Sequence, residues 1–430
     1  MGKLRRVTLA SVPLAGLLVI SACGSSSKSS SARATTAATK APAANTTAAA
    51  AASAVASSAA PAVTTAAPAV TTAAPAGATS GGKDSLKADC PATVTIQTDW
   101  NPESEHGHLY QMLGAGYVVD ADKKSVSGPL VDAKGNDTGV KLEVRSGGPA
   151  IGFQTVSAQM YLDDKITLGY VYTDEGVQFS KTQPTIEVFA PFEKNPQMIM
   201  WDPASYPNVN TIADLGKEKV KILYFGGGAY MEDYLVPTGV LSKDQVDGSY
   251  DGKPANFVTS GGKVAQQGFA SAEPYIYQNE IKEWGKPVKF QLVHDTGYPI
   301  YSQAISARTG DLAKLSPCLK KLVPIMQQAT VDYMKSPGKT NKVIVELVQK
   351  FNNGWVYSDG VAAFAVKQMT DLGLIANGPD KTLGNMEPAR IQKIIDIVAP
   401  ALAKTDKPIK DGLKPADLST NEFIDPSIGL

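Results

Sequence analysis

The sequence contains little of several residue types on which common protein chemistries depend. Its 430 residues include only three cysteines and three histidines, and its formal net charge is zero. The balanced charge leaves no basic footprint for nucleic acid, and the cysteines and histidines do not occur at spacings that hold zinc. No dinucleotide fingerprint, Lys-containing P-loop or Gly-x-Ser-x-Gly elbow is present. We therefore expect no metal, no cofactor and no nucleic-acid partner.

The N-terminal segment lacks an apolar run long enough to span a membrane. It begins with basic residues, continues with an apolar run over 7–20 and ends in Ile-Ser-Ala before Cys23. This pattern is typical of a secretory signal, and its end resembles a bacterial lipobox. We predict a signal peptide over 1–22 and a lipid anchor on Cys23. An exported protein with a cysteine at this point by chance is the alternative.

Large side chains are almost absent from the segment that follows. Residues 23–82 are mostly Ala, Ser, Thr and Pro, and a heptapeptide repeats in PAVTTAAPAVTTAAPAG. Such a composition cannot build a core, and its prolines would break any helix. We predict a disordered tether between the lipidated cysteine and the folded part.

Two cysteines remain once Cys23 is assigned to the anchor. They are Cys90, at the start of the folded part, and Cys318, 228 residues later. In an oxidising compartment two remaining cysteines usually pair. We predict a Cys90–Cys318 disulfide, with two free buried thiols as the alternative.

Strand and helix patterns alternate through most of residues 90–430, which indicates an α/β fold with parallel strands. The last hundred residues are mostly helical in pattern. Strands are predicted over 93–98, 140–146, 166–172, 197–202, 220–225, 288–293 and 301–308. Helical patterns are HGHLYQMLGAG, GFQTVSAQMYL, TIADLGK, AYMEDYLVPTG and GGKVAQQGFAS.

Glycines follow two of the predicted strands directly. Open α/β sheets bind ligands beyond the carboxyl ends of their strands, and helix N-termini there present free N–H groups. We therefore predict that these glycines contribute to a ligand site, although they could serve only as turn formers. The glycines are Gly147, Gly148, Gly227 and Gly228.

The folded part contains, in this order, the segments DWNPESEHGHLY, GGPAIGFQTVSAQ, ITLGYVYTDEG, TIADLGKEKVKILYFGGGAYMEDYL, QQGFASAEPYIY and VHDTGYPIYSQAISAR. This series resembles the substrate-binding proteins of bacterial ABC importers. It is most similar to the branch that binds nitrate, sulfonates, taurine and thiamine-pyrimidine precursors, over about 94–345. The resemblance implies a type II periplasmic-binding-protein fold, with two crossing strands as a hinge and a ligand cleft between two lobes. The implied lobes are 92–197 plus 305–430, and 200–300.

The segment DWNPESEHGHLY carries the most specific part of this resemblance. It is similar to the W-x-P-N-x-x-H-x-G-x-Y segment of the thiamine-pyrimidine group, except that Glu103 and Glu105 replace the usual Asn and Thr. Trp100 could supply a flat face for a ring, and His106 a donor or acceptor. Tyr110 would share a helix face with His106 by its i, i+4 spacing. Alternatively, Trp100 could pack between the lobes, and His106 could cap a helix or lie on the surface.

Further side chains are predicted from the second lobe and from the crossing strands, although surface tyrosines could explain some of them. SAEPYIY follows a probable helix, HDTGYPIY ends a crossing strand and FGGGAYMEDY lies beside the second glycine cluster. Together with the glycines, the predicted ligand-binding set is Trp100, Asn101, His106, Tyr110, Asp174, Tyr230, Glu273, Tyr275, Asp295 and Tyr298.

Arginine is scarce in the folded part, which contains only Arg145, Arg308 and Arg390. Anions such as nitrate or sulfonate favour arginine forks, whereas a nitrogen heterocycle needs a stacking ring and carboxylates. We therefore predict an aromatic N-heterocycle, such as a thiamine-pyrimidine or flavin-type precursor, with nitrate, sulfonate, taurine or another small solute as the alternative. We expect a monomeric, lipid-anchored, extracytoplasmic receptor that delivers its ligand to an ABC permease, rather than an enzyme or an adhesion protein.

Overall fold

The computed structural model describes residues 85–226 and 228–430, which contain two β-sheets and the helices that cover them. The predicted α/β class is confirmed. The strands are β1 (Thr93–Gln97), β2 (Val118–Asp120), β3 (Ser125–Val131), β4 (Asp137–Arg145), β5 (Leu168–Val171), β6 (Thr185–Phe189), β7 (Gln197–Trp201), β8 (Ile222–Leu223), β9 (Val246–Asp247), β10 (Ala265–Phe269), β11 (Lys289–Leu292) and β12 (Ala304–Arg308). The helices are α1 (Gly107–Gln111), α2 (Val156–Leu162), α3 (Thr173–Gln178), α4 (Ile212–Lys217), α5 (Ala255–Thr259), α6 (Glu273–Asn279), α7 (Leu312–Lys335), α8 (Gly338–Phe351), α9 (Asp359–Asp371) and α10 (Pro388–Leu402).

The chain passes between the two sheets twice. The first sheet has the order β2-β3-β4-β1-β5-β12-β6, and the second has the order β11-β7-β10-β8-β9. The crossings therefore follow β6 and β11. We call the surroundings of the first sheet the first lobe and those of the second sheet the second lobe. The boundaries given above for the two lobes stay predictions.

Both sheets are mixed rather than parallel throughout. β1 runs parallel to β4 and β5, but β12 runs antiparallel to β5 and β6. In the second sheet β7 is antiparallel to both of its neighbours. The antiparallel hairpin of β2 and β3 was not predicted. β3 contains Gly128 and Pro129, which are unusual within strands.

The burial patterns of β1 and β4 explain why these two strands could be predicted from the sequence. The inner positions of β1 are buried on both faces, as expected for a central strand. β4 alternates between buried and more exposed positions, so one of its faces meets solvent. Both patterns are readily recognised in the sequence.

The helical interpretation of GGKVAQQGFAS was wrong, because this segment contains the central strand β10. Two glutamines interrupt its apolar pattern. Gln266 donates to the Tyr277 hydroxyl at 2.7 Å, and Gln267 accepts from the Tyr230 hydroxyl at 2.6 Å. Buried amides with such partners are compatible with a central strand.

Cys90 and Cys318 form a disulfide, as predicted. It joins the segment before β1 to α7. The same segment is held by the buried Leu86 and by an ion pair of 2.6 Å between Asp89 and Lys321. The attachment of the N-terminal segment therefore does not depend on the disulfide alone.

Replacing both disulfide cysteines by alanine is expected to lower the free energy of unfolding by about 2–5 kcal/mol. The crosslink restricts the unfolded chain, while Leu86 and the Asp89–Lys321 pair keep the segment docked. Urea unfolding of the double variant and of the oxidised parent measures the difference. The reduced parent should match the double variant. Equal stability of oxidised and reduced parent would contradict the prediction.

No helix in the described part of the chain combines the length and the apolar character that crossing a membrane requires. The predicted signal peptide over 1–22, the lipidated Cys23 and the tether over 23–82 lie outside the described residues.

Candidate functional site

A cavity of about 210 Å³ lies between the two lobes. The loop after β1 and the end of β5 form one side of it. The start of β7, the loops near Phe225 and Tyr250 and the turn from β10 to α6 form the other. Its wall consists of Asp99, Trp100, Glu103, Tyr172, Gln197, Phe225, Tyr250, Gly252, Gln267, Gly268, Phe269, Ala272, Glu273 and Trp355.

Aromatic rings from three parts of the chain meet around Trp100. Its ring centroid lies 5.5 Å from that of Phe225 in the second lobe and 6.0 Å from that of Trp355 near the C-terminus, both in edge-to-face geometry. Phe225 in turn lies 4.9 Å from Tyr250. These rings give the cavity a largely apolar wall in which a flat molecule could be held.

Gly147 and Gly148 bring the backbone close to the loop that carries Trp100. A Cβ atom on Gly148 would lie 2.5 Å from the indole, and φ at this glycine is +54°. A Cβ atom on Gly147 would lie 2.2 Å from the carbonyl oxygen of Thr98. These glycines therefore shape the seat of the Trp100 ring, and neither of them reaches the cavity wall.

Asp99 is held as an anion by hydrogen-bond donors. Its carboxylate accepts from the Tyr172 hydroxyl at 2.7 Å, from Gln303 Nε2 at 3.0 and 3.1 Å and from His106 Nε2 at 2.9 Å. Burial alone would raise the pKa of Asp99, but these bonds, led by that of His106, bring it below its usual value. Since an ionised carboxylate only accepts, His106 Nε2 carries the proton.

The other carboxylates are stabilised less well. Burial raises the pKa of Glu103 well above its usual value, and the neighbouring Glu105, Asp99 and Glu273 raise it further. Burial also raises the pKa of Glu105, which accepts a hydrogen bond from Ser271. It raises the pKa of Glu273 to about 7. Glu273 accepts a hydrogen bond from the Phe269 N–H at 2.7 Å. These carboxyl groups therefore hold protons more readily than Asp99 does, and their neutral form is favoured at this end of the cavity.

Asp99, Glu103 and His106 place one potential metal-ligating atom each within 4.8 Å of one another. His106 Nε2 and Asp99 Oδ1 are already bonded to each other. A metal ion would have to displace the proton between them. As arranged, the two side chains are joined by a hydrogen bond.

The C-terminal helices supply a third wall. The segment between α8 and α9 contacts Trp100 through Trp355. Asn353 Nδ2 donates to Asn101 Oδ1 at 2.6 Å, and the Tyr357 hydroxyl accepts from the Ser104 N–H at 3.0 Å. This segment covers the loop that follows β1.

Of the predicted ligand-binding residues, Trp100 and Glu273 line the cavity. Asn101 is buried beneath the C-terminal segment. His106 is fully buried behind Asp99, and Tyr110 belongs to the hydrophobic core. These last three residues support the wall rather than form it.

The remaining predicted residues lie elsewhere. Tyr298 donates to Asp174 at 2.9 Å in a buried contact between the second crossing and the first lobe. Tyr230 binds Gln267 behind the wall, Tyr275 packs against Phe364 of α9, and Asp295 lies in a short turn of the second crossing. Gly228 packs beside Tyr230, and Gly227 lies outside the described residues.

Several wall residues were not predicted from the sequence. Tyr172 directly follows β5, and Asp99 stands beside Trp100, so their positions at strand ends were an available signal. Trp355 follows Asn-Asn-Gly between two helices, where an aromatic residue in a polar loop is itself unusual. Phe225, Tyr250 and Gln267 gave no comparable signal.

No protein-family model matches the chain, and no curated protein matches it. A solved structure from Bordetella bronchiseptica RB50 is similar with a TM-score of 0.49 and 13% identity, over 77% of this chain and 96% of that one. The periplasmic aliphatic sulphonate binding protein SsuA from Escherichia coli gives 0.41 and 12%, over 66% and 89%. The desulfurization enzyme DSZB gives 0.39 and 13%, over 77% and 97%.

Other similar structures are named as ABC-transporter, sulfonate-binding and nitrate-binding proteins, the kind of protein that the sequence resembles. An enzyme occurs beside them. At these levels of similarity the comparisons assign neither a ligand nor an activity to this chain.

Proposed function

We propose that this protein is the extracytoplasmic receptor of an ABC importer and captures a small aromatic N-heterocycle between its lobes. The observation that supports this most is the composition of the cavity wall. Aromatic rings surround Trp100, while Asp99, Glu103 and Glu273 offer acceptors to ring N–H groups. A thiamine-pyrimidine or flavin-type precursor has this combination of flat faces and N–H donors.

Nitrate, sulfonate and taurine are the second candidates, and the wall favours them less. No lysine or arginine is among the described residues that line the cavity. Arg145 is bonded to Glu143 and Asp163, and Arg308 to Asp311. An anion would therefore enter a site that lacks the charged donors it needs and already contains carboxylates.

An enzyme and an adhesion protein are weaker alternatives. Turnover of a bound heterocycle would support the first, and absence of saturable small-molecule binding would support the second. For the receptor we propose a monomer anchored by lipid on Cys23, held off the membrane by the 23–82 tether and presenting both lobes to a permease.

The proposal is tested by the thermal stability of the protein, produced without its signal peptide, in the presence of pyrimidines, flavins, alkylsulfonates, taurine and nitrate. A ligand at a hundred times its Kd stabilises the folded state by about 2.7 kcal/mol. We expect such a shift from a ring compound, with a one-to-one stoichiometry by calorimetry. A shift from nitrate or a sulfonate alone would contradict the heterocycle assignment.

A further inference from the structure

We infer that the cavity takes its ligand as a small organic cation: a flat ring that carries a protonated nitrogen, an amidinium or an ammonium group. This inference rests on the proposed function and narrows it, because it specifies the charge of the captured molecule. It is supported by the unbalanced carboxylates of the wall and by the rings beside them.

No lysine or arginine among the described residues of the cavity wall balances Glu103 and Glu273. The charged neighbours that raise its pKa are Glu105, Asp99 and Glu273. His106 Nε2 lies 3.5 Å from Glu103 Oε1 but donates its proton to Asp99. Glu103 is 5% exposed and lines the cavity. Burial favours the protonated form of this carboxyl group, and a bound cation would stabilise its ionised form.

The rings of the wall favour the same charge. A cation near the face of a tryptophan, tyrosine or phenylalanine is attracted by the negative potential of the ring, and burial strengthens the attraction. Trp100, Phe225, Tyr250 and Trp355 all line the cavity that Glu103 and Glu273 reach. Carboxylates beside aromatic rings are the arrangement that recognises organic ammonium groups. A neutral ring would not stabilise the ionised form of these carboxyl groups, and an anion would be repelled by it.

The first test uses three probes with the same six-membered ring: benzamidine, which is cationic, benzamide, which is neutral, and benzenesulfonate. We expect benzamidine to bind at least tenfold more tightly than benzamide by calorimetry, and benzenesulfonate to bind least. Equal binding of benzamidine and benzamide would overturn the inference and leave the proposed heterocycle receptor intact. Preferential binding of benzenesulfonate would overturn both the inference and the proposed heterocycle receptor. If none of the three probes binds detectably, the inference is overturned.

The second test substitutes the carboxylate. Glu103→Gln should weaken benzamidine binding at least tenfold and leave benzamide binding unchanged. Glu283→Gln, on the exposed surface of the second lobe, is the matched control and should change neither. If Glu103→Gln does not fold, Glu273→Gln is measured in its place. A variant that binds benzamidine as the parent does would overturn the inference.

The third test is the dependence of affinity on pH. Carboxyl groups with raised pKa values retain protons in the empty cavity, and a bound cation expels them. Benzamidine affinity should therefore rise as pH passes upward through about 7, the pKa of Glu273, and calorimetry in buffers of different ionisation enthalpy should detect released protons. The charged groups that face Glu103 and Glu273 are Asp99, Glu105 and His106, and Lys253 and Glu280 line the adjoining cavity. A pH-independent affinity would overturn the inference.

A metal ion could supply positive charge instead. Titration with Mn²⁺ or Zn²⁺ alone, without any organic probe, distinguishes this source. We expect neither ion to raise the melting temperature or to compete with benzamidine. Stabilisation by either ion that is lost in His106→Gln would identify a metal site and overturn the organic-cation assignment.

Discussion

Replacing Trp100 by alanine is expected to weaken the binding of a ring ligand about a hundredfold, or by about 3 kcal/mol. The indole contacts Phe225 in the second lobe and Trp355 in the C-terminal segment, so its loss removes the ring on which the other walls converge. The cavity would widen, and a flat ligand would lose its largest contact surface. Calorimetry with benzamidine, or with any heterocycle found by thermal screening, measures the change.

The matched control is Trp284→Ala. Trp284 packs on Phe257, with ring centroids 4.8 Å apart, at a distance from the cavity wall. This variant also loses an indole, and we expect lower stability but unchanged affinity. Equal losses of affinity in the two variants would show that Trp100 acts through stability alone. Unchanged affinity in Trp100→Ala would contradict the assignment of the site.

The position of Trp100 could be predicted because its signal is local. β1 has a regular apolar pattern, its end is clear, and side chains that follow a strand's carboxyl end face the cleft of an α/β sheet. Glu273 was predicted for another reason, because SAEPYIY resembles a ligand-binding position of the family after a probable helix; the structure places Glu273 at the start of α6, after strand β10. The rest of the wall depends on contacts between distant parts of the chain. Trp355 is the clearest case, since it follows α8 and reaches Trp100 only after the chain has folded.

His106 and Tyr110 show a second limit of the sequence. The i, i+4 rule predicts a shared face only if both residues lie on one α-helix. His106 instead ends a 3-10 turn, and Tyr110 lies in the α1 helix that follows it. Both side chains are buried, but His106 holds Asp99 whereas Tyr110 joins the core. A single helix from His106 was predicted, but the 3-10 turn over Ser104–His106 and the change of helix type after it were not.

Replacing Arg390 by methionine is expected to lower the free energy of unfolding by about 3–5 kcal/mol. Arg390 extends from α10 and binds both crossings between the lobes. Its guanidinium donates to Glu193 Oε1 at 2.9 Å in the first crossing, and to the carbonyl oxygens of Pro299 and Ile300 at 2.6 and 2.9 Å in the second. It also stacks on Tyr301 at 3.7 Å. Methionine retains much of the apolar stem but leaves these acceptors without their donor.

Urea unfolding of Arg390→Met measures this loss, and Lys367→Met is the control. Lys367 pairs with Asp371 on the exposed surface of α9, where such pairs contribute about 1 kcal/mol or less. Because Arg390 holds both crossings together, its loss should also weaken ligand binding, since closure would have to order segments that are now loose. Stability within about 1 kcal/mol of the parent would contradict this role. A large loss of stability with unchanged affinity would show that Arg390 supports the fold without positioning the two lobes for closure.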